Sequence, residues 1–266
     1  MYLLPGGDYK IPARGCGEKI RSYMTLANLK LPILKSVVIN NEEIKRLRQE
    51  EQERIKVQLK SGRTMLRYIY KKPCCQARNG GKIIDISCDL LMREAEPEAD
   101  LWLLEPSVRE NNLYCCNICL DKNQMNLHIE VLGRGFDISD INKGKIRPHE
   151  IIDIPYPVCY GAYGDWWKWA GFCYCTQREY EESLIIRKER LKRLLSDTEV
   201  NFDEIFRPVD ISFVERILSM IQQIESDSIW GRTGFYNLSC SFELGGRVIC
   251  WDIQTPEGKT QAYCRQ

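Results

Sequence analysis

Two strand-like runs lie near the end of the chain, at residues 237–241 and 247–254, and β-branched and aromatic residues occur within the second run and beside the first. The residues between them include Gly245 and Gly246, and this arrangement predicts a β-hairpin. Because residues two apart on a strand share a face, Asp252 and Gln254 are expected to point the same way. The hairpin therefore places an acid and an amide side by side at a strand end.

A carboxylate beside an amide supplies hard oxygen ligands of the kind that suit Mg²⁺. This ion takes few protein ligands and keeps phosphate oxygens and water in its coordination sphere. The alternative is an ordinary edge hairpin whose polar residues face solvent. The hairpin alone does not decide between the two, so the rest of the chain has to be considered.

The composition is that of a globular protein, with 44% hydrophobic and 28% charged residues. A length of 266 residues fits one large domain or two lobes. The 38 basic residues balance the 37 acidic ones, so no net field attracts nucleic acid or an anionic membrane. No apolar run reaches the roughly 18 residues of a membrane span, and the first residues lack signal-peptide features. We therefore expect a soluble cytoplasmic protein.

The thirteen cysteines are unusual for such a chain. Without an export signal, a disulfide framework is not expected. A zinc site is an alternative, formed from Cys115, Cys116, Cys119, Cys173 and Cys175. Their spacing does not match a paired zinc knuckle, and they lie in strand-like runs where cysteine packs as a small hydrophobe.

Hydrophobic periodicity predicts helices and strands in an α+β arrangement. The first helix is expected to end at Leu31-Pro32, and the others to begin at Asn40 or Asn41, at a capping box of Thr176 with Glu179, and at Ser212. The predicted helices cover residues 17–30, 42–60, 178–195 and 212–225. The predicted strands before the final hairpin cover residues 33–39, 64–70, 83–86, 100–106, 113–120 and 128–132.

Two loops have the composition of binding loops. The first contains Arg78, Gly80 and Gly81, where glycines let backbone N–H groups approach a polyphosphate and cations neutralise it. A basic hairpin turn is the alternative. Arg67 lies on the apolar strand before this loop, and a cation there requires a partner. The second loop, residues 133–144, is dense in glycine, acids and cations, which favours a functional loop over a linker.

An aromatic stretch at residues 160–174 contains three tryptophans, one phenylalanine and three glycines between its tyrosines. Aromatic side chains crowded in this way can stack on a base or ring. The alternative is a small aromatic core within the protein.

Three separated stretches, taken together and in order, resemble one family. Residues 17–33 resemble the opening of the nucleotide-binding domain of pyruvate phosphate dikinase and phosphoenolpyruvate synthase, with Lys19 in register with a lysine that holds ATP phosphates. Residues 66–68 lie where the family has Val-Arg-Ser, whose arginine also binds phosphate. Residues 254–260 are similar to the Gln-Thr-Arg-x-Gly-Lys stretch that closes the ATP site beside the metal.

The resemblance implies an ATP-grasp-like fold, in which two α+β lobes with mainly antiparallel sheets clamp a nucleotide. The lobes would be residues 1–104 and 105–266, and the cofactors would be ATP and Mg²⁺. Together with the first loop, it suggests that Lys19, Arg67 and Arg78 hold phosphates and that Gly80 and Gly81 let the backbone close on them. Glu105 or Glu130 would bind the ribose, Asp252 and Gln254 would place Mg²⁺, and Arg134, Asp137 and Lys143 would face the acceptor.

The sequence departs from the family at several positions. Glu18 replaces a glycine before Lys19, and Tyr68 and Ile69 replace serines. A carboxylate expected on the first strand of the last hairpin falls near residues 239–241, where the nearest acid is Glu243. The only histidines of the given sequence are His128 and His149, so the phosphohistidine relay of the family is not expected to transfer to it.

The leading hypothesis is therefore Mg-ATP-dependent phosphoryl transfer or carboxylate ligation to an unidentified small-molecule or protein acceptor. One alternative is a non-catalytic ATP sensor or a subunit of a larger assembly, which the incomplete acidic set of the last hairpin favours. Another is a cysteine-rich zinc protein that binds nucleic acid, against which the neutral charge counts. No membrane partner is expected, whereas a partner subunit or a homo-oligomer is compatible with the sequence.

Overall fold

The computed structural model divides the chain into two compact units, Met1–Val108 and Arg109–Lys259. Within them, the structure describes residues 2–4, 17–40, 43, 50, 53, 55, 63–69, 82–85, 101–106, 112–136, 138–142, 144–157, 166–183, 185, 209–243 and 245–255. The predicted α+β class is confirmed, because both units contain an antiparallel sheet together with helices. No helix in the described part of the chain is both long and apolar enough to cross a membrane.

The elements of the first unit are β1 (Tyr2–Leu4), α1 (Gly17–Asn28), β2 (Ser36–Asn40), β3 (Arg63–Ile69), β4 (Lys82–Asp85) and β5 (Leu101–Pro106). The strands form a five-stranded antiparallel sheet with the order β1-β2-β5-β3-β4. On one face of the sheet, α1 packs Ile20 and Tyr23 against Val38 of β2 and Leu103 of β5. This packing buries the helix stripe that the sequence predicts.

Helix α1 ends at Asn28, two residues earlier than the sequence predicts. Lys30 adopts a left-handed conformation with φ of 55°, and the Leu31 N–H donates to the Leu26 carbonyl at 3.0 Å. This bond satisfies a carbonyl that the last turn leaves open, so the helix ends before Pro32 has any effect. The predicted cap of the next helix is Asn40, whose Oδ1 accepts the Glu43 N–H at 2.7 Å.

The elements of the second unit are β6 (Asn112–Asp121), β7 (Asn126–Leu132), α2 (Ile138–Asn142), β8 (Glu150–Pro155), β9 (Gly171–Tyr174), α3 (Ile211–Glu225), β10 (Phe235–Glu243) and β11 (Val248–Gln254). The strands form a six-stranded antiparallel sheet with the order β11-β10-β6-β7-β8-β9. The predicted final hairpin is confirmed as β10 and β11. Gly246 in its turn has φ of 76°, a conformation that favours glycine.

Helix α3 covers one face of the six-stranded sheet. Phe213 lies 4.9 Å from Phe242 between ring centroids, and Met220 Sδ lies 3.5 Å from the Cys250 thiol. The predicted cap at Ser212 is wrong by two residues, because Asp210 Oδ1 accepts the Ser212 N–H at 2.9 Å. Aspartate caps helices as well as serine does. The predicted helix is therefore present, but its capping residue is Asp210.

The two faces of the six-stranded sheet have opposite character. The face under α3, here called the apolar face, includes Cys116, Ile118, Leu120, Leu127, Ile129, Val131, Ile152, Ile154, Tyr236, Leu238, Cys240 and Ile253. The other, here called the polar face, includes Asn117, Cys119, Asn126, His128, Glu130, Asp153, Asn237, Ser239, Asp252 and Gln254. Strand pairing places each set on one side, since paired residues share a face.

The glycine-rich loop at residues 133–144 and the aromatic stretch at residues 160–174 both differ from what the sequence predicts. Residues 138–142 form the short helix α2 within the glycine-rich loop. In the aromatic stretch, Trp167, Trp169, Phe172 and Tyr174 are all exposed, so these four side chains do not form a small core. The capping box that precedes the next helix is confirmed, since the Thr176 N–H donates to Glu179 Oε2 at 2.9 Å and residues 177–183 are helical.

Candidate functional site

Asp252 and Gln254 lie together at the end of the final hairpin, as predicted. The Gln254 Nε2 donates to Asp252 Oδ2 at 2.8 Å, and both residues belong to the polar face. Across the hairpin, Asp252 pairs with Ser239 and Gln254 pairs with Asn237. The hydrogen bond fixes the amide, so its carbonyl oxygen is the atom that remains for a ligand.

A register shift between Ser239 and Cys240 changes the direction of one aromatic side chain. Trp251, which lies opposite this shift, donates its indole N–H to the Ser241 hydroxyl. Ser241 also accepts from Asn112 Nδ2 at 3.2 Å. A bulge places an extra residue in one strand and turns its neighbours. The bulge therefore directs the Trp251 indole to Ser241.

The polar face continues from the hairpin across the sheet to Glu130. One row of paired residues runs through Asp252, Ser239, Asn117 and Glu130. Asn117 Nδ2 donates to Glu130 Oε2 at 3.1 Å. The pKa of Glu130 is lowered, first by its contact with His128 and then, against a burial effect that raises it, by the Asn117 bond. Glu130 is therefore held as a carboxylate.

His128 lies between two carboxylates on the polar face. Its Nδ1 is 2.7 Å from Asp153 Oδ1, which also accepts from Asn126 Nδ2 at 2.8 Å. Its Nε2 is 3.8 Å from Glu130 Oε1, a distance typical of an ion pair. The pKa of His128 is raised to about 9, chiefly by Glu130 and also by Asp153, so the ring is an imidazolium at neutral pH.

The sequence hypothesis gave His128 no role, although a signal for its position was present. Residues 126–132 alternate polar Asn126, His128 and Glu130 with the apolar residues between them. A period of two places these polar side chains on one face of a strand. The alternation predicts the location of His128, but it does not predict the two acidic neighbours.

The residues of the hairpin fit Mg²⁺ by the chemistry of their donor atoms. Asp252 provides a carboxylate and Gln254 an amide oxygen, which is a small set of the kind that this ion takes from proteins. Among the described residues, no group of three or more His, Cys, Asp or Glu side chains is arranged to hold a metal ion. A metal at the hairpin would therefore depend on ligands from the nucleotide and from water.

The cysteines that the structure describes are not grouped in a way that could hold zinc. Burial raises the pKa of the Cys116 and Cys250 thiols well above their usual range, and it raises the pKa of Cys119 and Cys175 to about 11. Cys116 and Cys250 lie on the apolar face and act there as small hydrophobic side chains.

In the first unit, the structure brings together two residues that the sequence assigns to nucleotide binding. The Lys19 ammonium lies 5.3 Å from the centre of the Tyr23 ring, and the Tyr23 hydroxyl donates to Glu105 Oε1. Tyr23 is fully buried and Glu105 is 1% exposed. The periodicity of the helix predicts that Tyr23 is buried, but it gives no signal for this contact.

Arg67 lies on strand β3, where it pairs with Leu103 of β5. The neighbouring pair two residues away joins Met65 and Glu105, so the backbone of Arg67 is close to that of the predicted ribose ligand. The predicted residues Arg78, Gly80, Gly81, Asp137 and Lys143 lie outside the described residues.

Arg134 lies in the turn that follows β7, and a buried histidine holds this turn. His149 Nδ1 accepts the Gly133 N–H at 3.1 Å, while its Nε2 lies 3.1 Å from the Ser183 hydroxyl. That hydroxyl donates to the Tyr180 carbonyl at 2.6 Å, so Nε2 must carry the proton. Burial lowers the pKa of His149 to about 4. The ring is therefore neutral and positions the turn that carries Arg134.

No protein-family model and no curated protein matches the chain. Among solved structures, D-alanine-D-alanine ligase from Coxiella burnetii is similar at 9% identity and a TM-score of 0.43, covering 90% of this chain and 47% of that one. VanG D-Ala:D-Ser ligase from Enterococcus faecalis is similar at 13% identity and a TM-score of 0.44, covering 94% and 55%. Carboxyaminoimidazole ribonucleotide synthase from Aspergillus clavatus, complexed with ATP, is similar at 10% identity and a TM-score of 0.44, covering 90% and 44%. The chain thus spans about half the length of these structures, and likeness at this level transfers no activity to it.

Proposed function

We propose that the chain is an ATP-grasp-like enzyme that uses Mg-ATP to activate an acceptor. If the acceptor is a carboxylate, the acyl phosphate that forms is then converted to an amide or ester. Otherwise the product is a phosphorylated small molecule or protein. The proposal rests on the three ordered sequence stretches and on one structural observation. That observation is the hydrogen-bonded Asp252–Gln254 pair on a sheet face whose other side is packed against α3.

The Asp252 carboxylate and the Gln254 amide oxygen are the proposed Mg²⁺ ligands. When bound, the ion would neutralise charge on the phosphate oxygens. The Gln254 Nε2 bond to Asp252 fixes the direction of both side chains in advance. Such preorganisation lowers the cost of ordering the site when the nucleotide arrives.

The remaining roles are assigned from charge and from the sequence resemblance. Lys19, Arg67 and Arg78 are proposed to hold phosphates, with the backbone at Gly80 and Gly81. Glu105 or Glu130 is proposed to bind the ribose hydroxyls. Acceptor contacts are proposed for Arg134, Asp137 and Lys143. Catalysis would then consist mainly of positioning and charge neutralisation.

A second candidate function is nucleotide binding without turnover, and the hairpin itself favours it. The β10 residues that pair with Gln254 and Asp252 are Asn237 and Ser239, neither of which is an acid. Glu243, the nearest acid on that strand, accepts from Arg247 Nε at 2.6 Å. A single carboxylate at the hairpin is fewer than a two-metal phosphoryl-transfer site uses.

Isothermal calorimetry of ATP binding, with and without Mg²⁺, tests the proposal. Wild type is expected to bind ATP more tightly with Mg²⁺, and Lys19→Ala to weaken binding roughly tenfold or more, because a charge-assisted contact is lost. Lys35→Ala removes an exposed lysine of the same unit and is the matched control. Absence of binding by wild type, or equal effects of the two substitutions, would remove the proposal. Tight binding without release of ADP over hours would favour the non-catalytic candidate.

A further inference from the structure

Tyr23 is in contact with two residues that come from distant parts of the sequence. Its ring lies beneath the Lys19 ammonium, one helical turn earlier on α1, and its hydroxyl reaches Glu105, which is 82 residues away on β5. The ring is also part of the apolar cluster formed with Ile20, Val38 and Leu103. One side chain thus joins a surface cation, the core and a buried acid.

Burial of the Glu105 carboxylate is costly unless its oxygens have hydrogen-bond partners. The Tyr23 hydroxyl provides such a partner within a cluster that is otherwise apolar. Packing alone would be satisfied by an aliphatic pair at these two positions. The hydrogen bond therefore gives the Glu105 side chain a fixed orientation.

The ring has a separate effect on Lys19. A lysine side chain has high rotamer entropy, and an aromatic face near its ammonium restricts it. The 5.3 Å distance from Nζ to the ring centre lies within the range of a cation–π interaction. Because the ring itself is fully buried, its position is set by the core, and it provides a rigid support for the cation.

We propose that Tyr23 is a positioning residue for the nucleotide, with its ring orienting Lys19 toward phosphate and its hydroxyl orienting Glu105 toward ribose. This inference rests on the proposed function, and it adds a residue that neither the sequence resemblance nor the comparisons assign. The hydroxyl and the ring of Tyr23 are proposed to have different effects on nucleotide binding. The hydroxyl acts on the ribose contact alone, whereas the ring acts on the phosphate contact.

The test compares binding of ATP and of tripolyphosphate, which lacks the nucleoside, by calorimetry on the full chain with Mg²⁺. Tyr23→Phe keeps the ring and removes the hydroxyl. It is expected to weaken ATP binding roughly tenfold while tripolyphosphate binding stays within about twofold. Tyr23→Leu removes both groups and is expected to weaken tripolyphosphate binding as well, about threefold.

A purely structural role would change the affinity for both ligands together or for neither. Equal losses for ATP and tripolyphosphate in Tyr23→Phe, or unchanged affinities in both variants, would overturn the inference while leaving the proposed function intact. Failure of wild type to bind either ligand would overturn both. The matched control is Tyr114→Phe, at a ring packed against Phe213 and Phe242 in the other unit, which should leave both affinities unchanged.

If Tyr23→Phe does not fold, as judged by a thermal unfolding transition, Glu105→Gln replaces it. The amide oxygen of glutamine still accepts from the Tyr23 hydroxyl, so the core contact remains while the charge is lost. The same selective weakening of ATP binding is expected. Equal weakening of tripolyphosphate binding by Glu105→Gln would contradict the inference.

Discussion

The two faces of the six-stranded sheet place similar residues in opposite environments. Glu130 on β7 pairs with Ile151 of β8, and one step along the same ladder Val131 pairs with Glu150. Glu130 lies on the polar face, where its contact with His128 lowers the pKa of its carboxyl. Glu150 lies under the apolar face, where burial raises the pKa of its carboxyl to about 7. Two glutamates at neighbouring positions therefore differ in charge near neutral pH.

The two histidines also lie in different environments, although neither is under α3. The pKa of His128 is raised to about 9 by Glu130 and Asp153, whereas burial lowers that of His149 to about 4. His149 lies between aromatic rings, 4.6 Å from the Phe136 ring and 4.8 Å from the Tyr180 ring. The charged histidine therefore lies between carboxylates, and the neutral one lies among aromatic rings.

The largest expected effect comes from Glu150. Its buried carboxyl accepts the Val209 N–H at 2.9 Å and a hydrogen bond from Tyr174. Because the folded-state pKa lies above the ordinary value of 4.5, stability is greatest below pH 4.5 and falls as the pH rises toward 7. The free energy of unfolding is expected to fall by about 2 kcal/mol between pH 5 and pH 8 through this group alone.

Urea unfolding of wild type and Glu150→Gln over this pH range measures the effect. Glutamine keeps an acceptor for the Val209 N–H and stays neutral, so the variant should lack this part of the pH dependence and be more stable than wild type at pH 8. Glu182→Gln, at an exposed site on residues 177–183, is the control and should follow wild type. Identical slopes for wild type and Glu150→Gln would show that the environment of the buried carboxyl is wrongly assigned.

His128 has a smaller effect on the free energy of unfolding, and this effect changes in a higher pH range. A raised histidine pKa adds stability that is complete below about pH 6.5 and disappears as the pH rises through 9. The side chain is 34% exposed, so solvent screening reduces the contribution to about 1 kcal/mol. His128→Gln should therefore destabilise the protein at pH 6 and have little effect at pH 10.

Proton NMR measures the same group directly. The chain has two histidines, so the His128→Gln spectrum assigns both ring signals. The His128 signal should titrate near pH 9 and the His149 signal near pH 4. Titration of both rings near pH 6.5 would contradict the contrast between the two environments.

Much of this arrangement can be predicted from the sequence, because short-range periodicity determines it. Alternation in residues 248–254 placed Asp252 and Gln254 on one face, and the hydrogen bond between them confirms the pairing. The burial of Glu150 also has a signal in its strand. Glu150, Ile152 and Ile154 are two residues apart and so share a face, and two of the three are buried isoleucines.

Other contacts depend on tertiary structure and have no local signal. The Tyr23–Glu105 hydrogen bond joins residues 82 apart, and helix periodicity predicts only that Tyr23 is buried. Similarly, the register shift at Ser239 changes the environment of Trp251 without any glycine or proline at that point. Such contacts arise from how strands align, and a single sequence does not determine that alignment.

The most direct test of the central claim is a crystal structure of the chain with a non-hydrolysable ATP analogue and Mn²⁺, whose anomalous signal locates the metal. The claim predicts a metal peak within about 2.0–2.3 Å of an Asp252 carboxylate oxygen and the Gln254 amide oxygen, with the remaining ligands from phosphate and water. A nucleotide bound with its metal away from the hairpin, or no nucleotide at saturating concentration, would contradict it.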